Sequence, residues 1–250
     1  MEMTMKRVAI NGILGRMGQV LTREIVRNGS GLSLVGGVDT LETYHADAIY
    51  VSTHPIDVVE ECDVVVDFSS GDGVLAIVKA CQTARKPLVT GTTGLSEDQQ
   101  AAVLKLAETV PVVQATNFSV GINILIHLLR QTADVLQNRF DAQIVELFNR
   151  NMDDQPGNTA ELLATNLANA MGLREGSDSG GDAIPIHSLR GGSVIGEHQI
   201  HLFCGNEHIT LTHQALSRGA FAEGVVRAVH WVADRDPGHY RMVDVLGLRP

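Results

Sequence analysis

Three glycines near the start of the chain have a spacing that suits dinucleotide binding. Gly12, Gly15 and Gly18 follow the apolar run at 6–11 and lead into a helical pattern. Glycines so placed permit a tight turn, let the backbone approach a pyrophosphate closely, and direct the first amides of the helix at its negative charge. We interpret them as a cofactor turn, with a merely tight turn as the alternative.

An acidic residue follows this turn at the distance expected for a ribose contact. Asp39 ends the second predicted strand, about 20 residues beyond the glycines, where a carboxylate accepts a hydrogen bond from a ribose 2′-hydroxyl. An ordinary strand-end aspartate is the alternative. The Asp39 carboxylate would repel a 2′-phosphate, and the next residue, Thr40, provides no positive charge to compensate. The pattern therefore favours NADH over NADPH.

Repeated strand and helix patterns must position these residues. Runs of apolar, mostly β-branched residues predict strands at 6–12, 32–39, 62–70, 86–94 and 110–119. Helical patterns lie between them at 16–28, 73–85 and 96–110. Alternating βα units predict a Rossmann-type, doubly wound parallel sheet with helices on both faces. Ligands bind at the carboxyl ends of such strands, so we expect Asp67, Phe68, Gly91 and Thr93 at the crevice, with plain turn chemistry as the alternative.

The second half of the chain has a different pattern. An apolar helix at 122–137 precedes a strand at 142–148, a helix at 159–171 and alternating strands between 183 and 216. This order predicts a mixed α/β domain with helices on one side of its sheet. An amphipathic helix at 221–235 closes the pattern.

Composition excludes several classes of protein. The net charge of -10 and the pI of about 5.4 provide no basic surface for nucleic acid or an anionic membrane. No apolar run is long enough to span a bilayer, and we expect a cytoplasmic protein. Cys62, Cys81 and Cys204 are scattered singly among apolar residues, so we expect reduced thiols and no metal site.

Eight segments together resemble one enzyme family. They are "NGILGRMG", "VVVDFSS", "VTGTTG", "ATNFSVGIN", "PGNTA", "HSLRGGSVIGEH", "LTHQALSRGAFAEGVVRA" and "MVDVLGL". Their order and spacing, over nearly the whole chain, are similar to those of the 4-hydroxy-tetrahydrodipicolinate reductases, also called dihydrodipicolinate reductases. The resemblance implies that NAD(P)H delivers hydride to a cyclic unsaturated imine dicarboxylate in lysine biosynthesis.

The family resemblance also implies an organisation and a set of site residues. A dinucleotide-binding domain would comprise 1–122 with 218–250, and an inserted domain at 123–217 would bind substrate and build a homotetramer. Arg218 would lie near the domain junction in contact with substrate, with an interdomain ion pair as the alternative. The residues bordering the cofactor would be Gly12, Arg16, Met17, Asp39, Phe68, Gly91, Thr93, Asn117 and Phe118.

The chain departs from the family where substrate should bind. Family members have a His-His-Arg-His-Lys run before Asp-Ala-Pro-Ser-Gly-Thr-Ala, whereas this chain reads "FNRNMDDQPGNTA" at 148–160. The first His, the implied proton donor, is Phe148 here, and the Lys is Met152. The turn that holds a substrate carboxylate has become Gly157, Asn158 and Thr159, although helix N-terminal amides there could still bind one.

These replacements change the chemistry that the loop permits. Hydride addition to a conjugated imine leaves negative charge that needs an acid, which Phe148 and Met152 cannot supply. A protonated imine needs no further proton and is stabilised by carboxylates. We therefore expect Asp153 to stabilise an iminium, Arg150 to bind a substrate carboxylate and Asn149 to orient the substrate.

Each of these assignments has a plainer alternative. Asp153 could be an ordinary exposed loop residue, Asn149 could merely satisfy the turn, and Asp154 could form the turn or cap the helix. His187 and His198 are expected to be structural, whereas Arg190 could be either structural or functional.

Several functions remain open. The first is an NAD(P)H-dependent reductase acting on a C=N bond of a small, carboxylate-bearing substrate other than the lysine-pathway one. The second is the lysine-pathway reductase itself, with water as the proton source. The third is a non-catalytic NADH-binding protein. A family member without net hydride transfer is a fourth.

Overall fold

The computed structural model describes residues 5–27, 29–45, 49–132, 135, 140–153, 155–173 and 184–248. They form two compact units, which we call the first unit (Met1–Ser119 with Gly219–Arg249) and the second unit (Val120–Arg218). The described elements are, in chain order, β1 (Lys6–Asn11), α1 (Arg16–Arg27), β2 (Leu32–Val38), β3 (Thr43–His45), β4 (Ile49–Ser52), α2 (Ile56–Val59), β5 (Val64–Asp67), α3 (Gly71–Ala84), β6 (Leu88–Thr90), α4 (Glu97–Leu106), β7 (Pro111–Gln114), α5 (Val120–Gln131), β8 (Asp141–Phe148), α6 (Asn158–Ala170), β9 (Ile186–Arg190), β10 (Gly196–Cys204), β11 (Glu207–Ala215), α7 (Gly219–Val232), β12 (Gly238–Tyr240) and α8 (Met242–Val245).

The first unit is built on one eight-stranded sheet. Its strand order is β12-β7-β6-β5-β1-β2-β4-β3, and every neighbouring pair is parallel except β3 and β4. The order runs outward in both directions from β1 and β5, so the loops after these two strands meet at the carboxyl edge of the sheet. This edge is where doubly wound sheets bind ligands.

Alternating strand residues of the first unit are buried on opposite faces of its sheet. Val8 and Ile10 pack in one cluster with α1, α7 and α8, whereas Ala9 between them packs in another with α2, α3 and α4. Successive side chains of a strand point to opposite faces, and both faces are covered here. The predicted doubly wound architecture is confirmed.

The second unit contains a four-stranded sheet in the order β11-β10-β8-β9. The β10 strand is antiparallel to β8 and to β11, whereas β8 and β9 are parallel, so the sheet is mixed as predicted. Helices α5 and α6 pack with inward residues of β8 and β10 such as Ile144 and Ile200. On the other face Leu189 and Phe203 are exposed.

The loop between β8 and α6 positions the candidate substrate residues. Inward residues of β8 alternate, so that Ile144, Glu146 and Phe148 are all buried. Helix α6 then begins after its N-cap, Gly157. Within this loop Asp154, weighed above as a turn or capping residue, lies outside the described residues.

Candidate functional site

The glycine turn joins β1 to α1 with little space for side chains. Gly12 has a left-handed backbone (φ +78), and its N–H donates to the Val38 carbonyl at 2.8 Å. A Cβ at Gly12 would press on the Phe68 carbonyl, and one at Gly18 would press on the Gly12 carbonyl. Gly15 and Arg16 are exposed at the start of the helix, and Met17 is partly buried. The turn thus has the close backbone packing and exposed tip that a dinucleotide needs.

Asp39 lies beside this turn at the end of β2. Its carboxylate accepts hydrogen bonds from the Leu14 amide at 2.9 Å and from the Thr40 amide at 2.8 Å. Asp39 therefore supports the turn directly, a role that its place in the sequence did not indicate. The side chain is partly exposed, as a ribose contact would require.

A buried carboxylate connects the loops around the crevice. We expected Asp67 to reach the crevice, but its side chain is fully buried beneath it. It accepts hydrogen bonds from Asn11 Nδ2 at 2.7 Å, Ser69 Oγ at 2.6 Å, Thr90 Oγ1 at 2.7 Å and Thr92 Oγ1 at 2.8 Å. These partners follow or end β1, β5 and β6. Asp67 thus fixes the relative positions of three crevice loops.

The remaining predicted cofactor residues divide into exposed and enclosed ones. Thr93 is exposed, whereas Asn117 and Phe118 are buried, the Asn117 side chain accepting a hydrogen bond from the Ser119 amide at 2.8 Å. The Phe68 and Phe118 rings lie 5.6 Å apart, and Gly91 leaves room for the Phe68 ring. A cleft of about 520 Å³ extends from Thr93 along α4 and is not lined by the glycine turn.

In the second unit, Phe148 is enclosed by other side chains. Its exposed fraction is 9%. The Arg190 guanidinium carbon lies 5.4 Å from the centre of its ring, and the His198 ring meets it edge-on with centroids 5.4 Å apart. Gly157 and Gly196 both border the ring, and a Cβ at Gly196 would be only 2.8 Å from it. Phe148 is a packed residue and offers no proton donor.

Glu146, two residues before Phe148 on the same face of β8, is fully buried. It accepts hydrogen bonds from Ser188 Oγ at 2.7 Å, Arg190 Nη2 at 2.8 Å and the Gly157 amide at 3.1 Å. Burial acts to raise the pKa of Glu146, but these hydrogen bonds and the charge of Arg190 outweigh it and hold the pKa below its ordinary value. Glu146 is therefore an ionised partner of Arg190 at neutral pH.

Arg190 makes structural contacts in three directions. Besides Glu146, its Nε donates to the Met152 carbonyl at 3.2 Å and its Nη1 donates to the Leu189 carbonyl at 3.0 Å. Sequence reasoning left Arg190 open and did not single out Glu146 or Ser188. The alternation of β8 was an available signal, because a charged residue at an inward strand position requires a partner.

The other predicted substrate residues lie on the surface. Arg150, Asp153, Asn158 and Arg218 are exposed, whereas Asn149 and Thr159 are partly exposed. The Asn149 side chain accepts a hydrogen bond from the Asn151 amide at 2.9 Å, which supports the turn alternative. The structure thus places the predicted residues 148–159 around one loop, with Arg218 elsewhere in the same unit, just before α7.

Two histidines border this region. His198 is 4% exposed, and neither ring nitrogen has a hydrogen-bond partner within the part of the chain that the structure describes. Burial lowers its pKa to about 4, with His213 contributing in the same direction. His187 is exposed, and its Nε2 lies 3.0 Å from Gln143 Oε1. His198 is thus an enclosed side chain that is neutral at pH 7.

The residues described above contain neither a candidate metal centre nor a membrane-spanning helix. Among them no group of three or more His, Cys, Asp or Glu side chains is placed to hold a metal ion. No helix in these ranges combines the length and apolar character needed to cross a membrane. Cys62 and Cys81 are buried, and burial raises the pKa of Cys62 to about 11.

Comparisons with known proteins identify the family. Residues 6–118 match the model for the N-terminus of dihydrodipicolinate reductase, and residues 121–246 match the model for its C-terminus. The chain belongs to the dihydrodipicolinate reductase family. The resemblance seen in its sequence motifs is confirmed.

Individual relatives cover nearly the full chain. The 4-hydroxy-tetrahydrodipicolinate reductase of Syntrophotalea carbinolica is 35% identical over 98% of this chain and 100% of its own length. The protein of the same name from Granulibacter bethesdensis is 39% identical over 97% of both chains. The fold is similar to that of dipicolinate-bound dihydrodipicolinate reductase from Paenisporosarcina sp. TG-14, with a TM-score of 0.80, 23% identity and coverage of 96% and 98%.

Proposed function

We propose that this chain is an NAD(P)H-dependent reductase of a C=N bond, imine or iminium, in a small carboxylate-bearing substrate other than the lysine-pathway one. The packing of Phe148 carries this proposal. Phe148 stands where the family pattern has its implied proton donor, and its ring is enclosed by Arg190, His198 and two glycines. A phenyl ring has no proton that it can release to a substrate.

The first unit would hold the cofactor, which supplies the hydride. The close approach of Gly12 and Gly18 to neighbouring carbonyls and the exposed Gly15 and Arg16 suit a pyrophosphate. We propose NADH over NADPH because Asp39 is followed by uncharged Thr40. Calorimetric titration with both cofactors tests this, and tighter binding of NADPH would remove the ribose role of Asp39. Gly15→Leu should abolish binding of either cofactor.

The loop after β8 would bind substrate. Arg150 and the backbone around Asn158 and Thr159 would hold a substrate carboxylate, while the exposed Asp153 would stabilise an iminium. A protonated imine becomes an amine on hydride addition without a further proton, so the loss of the acid is tolerated. Phe148 would border the bound substrate, as would Arg218 on the family pattern.

Kinetics of loop variants test this chemistry on a panel of cyclic imino acids. Asp153→Asn should lower kcat/KM by roughly tenfold to a hundredfold, more than Asn149→Ala, because only Asp153 contributes charge. Activity should fall as pH rises through the pKa of the substrate imine. If that fall disappears in His187→Ala or His198→Ala, a protein acid operates and the iminium chemistry is wrong.

The second candidate is the lysine-pathway reductase itself. The names of relatives that are 35% and 39% identical over nearly the whole chain favour it. Complementation of a bacterial strain lacking that enzyme separates the two functions, since our proposal requires no growth. A third candidate, a non-catalytic NADH-binding protein, requires tight NADH binding and no turnover on any imine.

Assembly and location complete the proposal. We propose a homotetramer built through the second unit, with residues 1–122 and 218–250 forming the dinucleotide-binding domain and residues 123–217 the substrate domain. Light scattering coupled to size-exclusion chromatography measures the assembly, and a monomer at micromolar concentration would contradict it. The cytoplasmic location stays a prediction.

A further inference from the structure

The substrate loop, defined as residues 149–153 and 155–157, is fastened to one buried ion pair. At the end of the loop, the Gly157 amide donates to Glu146. Within the loop, the Met152 carbonyl accepts from Arg190 Nε at 3.2 Å. Glu146 and Arg190 are joined to each other at 2.8 Å, with side-chain exposed fractions of 0% and 10%. One ion pair therefore holds the loop at two separate points.

The guanidinium of Arg190 is used in a way that only arginine permits. Its Nε, Nη1 and Nη2 donate to Met152, Leu189 and Glu146 respectively, and its Cζ lies over the Phe148 ring, 5.4 Å from the ring centre. Three of its nitrogens thus bind acceptors within the second unit. Lysine has one compact ammonium group and cannot reproduce this fixed fork.

Neutralisation of charge alone does not account for this arrangement. Burying two charges is costly, and apolar residues of similar volume often stabilise a protein as well as a buried ion pair does. Here both charged groups also bind loop backbone, and the Gly157 amide bound by Glu146 belongs to the N-cap of α6. The ion pair thus fixes where α6 begins relative to the loop residues before it.

We propose that Glu146 and Arg190 are positioning residues that hold the substrate loop in its binding shape. Neither acts on the substrate directly. They determine the spacing between Arg150 and Asp153 on the loop and the first turn of α6. The role in substrate binding rests on the function proposed above for this loop, whereas the anchoring itself does not.

Arg190→Lys is the most informative variant, because it keeps the charge that neutralises Glu146 but loses the contact with Met152. Hydrogen exchange measured by mass spectrometry should show amides of peptides covering 149–157 exchanging about tenfold or more faster than in the wild type. Peptides from β10 and from the first unit should be unchanged, as should the Kd for NADH. The matched control is Arg7→Lys, because Arg7 forms an exposed ion pair with Asp63 at 2.9 Å in the first unit.

Two results would overturn the anchoring proposal. One is unchanged exchange in the loop of Arg190→Lys, which would leave charge neutralisation as the whole role. The other is faster exchange spread evenly through the second unit, which would indicate general loss of packing. If Arg190→Lys does not fold, Ser188→Ala replaces it, because this change keeps both charges and removes one hydrogen bond to Glu146. A smaller but still selective increase at 149–157 is then expected.

Kinetics then separate this inference from the proposed function. With an imino acid that the wild type reduces, Arg190→Lys should raise KM severalfold and change kcat less, because the loop must be ordered by the substrate at a cost in binding. If the loop amides exchange faster but KM is unchanged, the ion pair anchors the loop, and the loop is not part of the substrate site. If exchange is faster only at 149–157 but neither the wild type nor any variant reduces an imine, the anchoring proposal stands and the proposed enzyme function is wrong.

Discussion

Asp67 in the first unit and Glu146 in the second are both fully buried carboxylates that organise loops, but they have different partners. Asp67 accepts from three hydroxyls and one side-chain amide, all neutral. Glu146 accepts from one hydroxyl, one backbone amide and the charged Arg190. The cofactor crevice is thus organised by short polar side chains, and the substrate loop by an ion pair.

This difference predicts how the two regions respond to substitution. A hydroxyl can reverse its role and accept a hydrogen bond, so Ser69, Thr90 and Thr92 can adjust to a changed partner. A backbone amide and a guanidinium can only donate. The region around Glu146 should therefore be the less tolerant of the two, although three donor groups bind its carboxylate and four bind that of Asp67.

Among the substitutions compared here, Glu146→Gln should cause the largest loss in the free energy of unfolding. The change leaves the buried charge of Arg190 without a counter-charge, and loss of one partner of a buried pair costs about 3 kcal/mol or more. Urea unfolding followed by a probe in the second unit measures this cost. A cost below about 1 kcal/mol would mean that the ion pair contributes little and that the two carboxylates are equivalent.

The two regions also differ in how far the sequence predicted them. The glycine turn and the parallel strands were predictable because residues 6–39 contain the whole βαβ pattern locally. The Glu146–Arg190 pair was not, since its members are 44 residues apart and meet only because β8 and β9 are parallel neighbours. Alternation along β8 would have placed Phe148 inward with Glu146, yet the family pattern drew attention to it as a site residue.

Restoring the family residues tests the second unit by gain of function. Phe148→His combined with Met152→Lys should raise the rate with the lysine-pathway substrate by up to about 10²-fold over a very low wild-type rate, since a positioned acid contributes about that much. Steady-state kinetics measure the gain. Adding Glu146→Gln should remove it, because an imidazolium would then adjoin an unbalanced Arg190. A wild-type rate typical of the family would show that no acid is missing.

Acid should weaken the second unit through His198. Burial lowers the pKa of His198 from 6.5 to about 4, so its contribution to stability is complete above pH 6.5 and is lost as pH falls from 6.5 towards 4. Through this one group, the free energy of unfolding changes by at most about 1.4 kcal/mol per pH unit. Between pH 7 and pH 5, where Glu146 stays ionised, the wild type should lose about 1 to 2 kcal/mol more than His198→Gln. Urea unfolding measures both losses. If the wild type and His198→Gln lose equal free energy of unfolding, the pKa of His198 is not lowered in the folded protein.

The smallest effect is expected for Asp67→Asn in the first unit. The new amide keeps one acceptor oxygen, and the hydroxyls of Thr90 and Thr92 can turn to accept from its nitrogen, so we expect a cost of about 1 kcal/mol. NADH affinity should fall only a few fold, because Asp67 lies beneath the crevice loops and would not contact the cofactor. Urea unfolding and NADH titration measure both quantities. If Asp67→Asn costs as much as Glu146→Gln, the neutral network is as rigid as the ion pair, and the ability of hydroxyls to reverse does not distinguish the two regions.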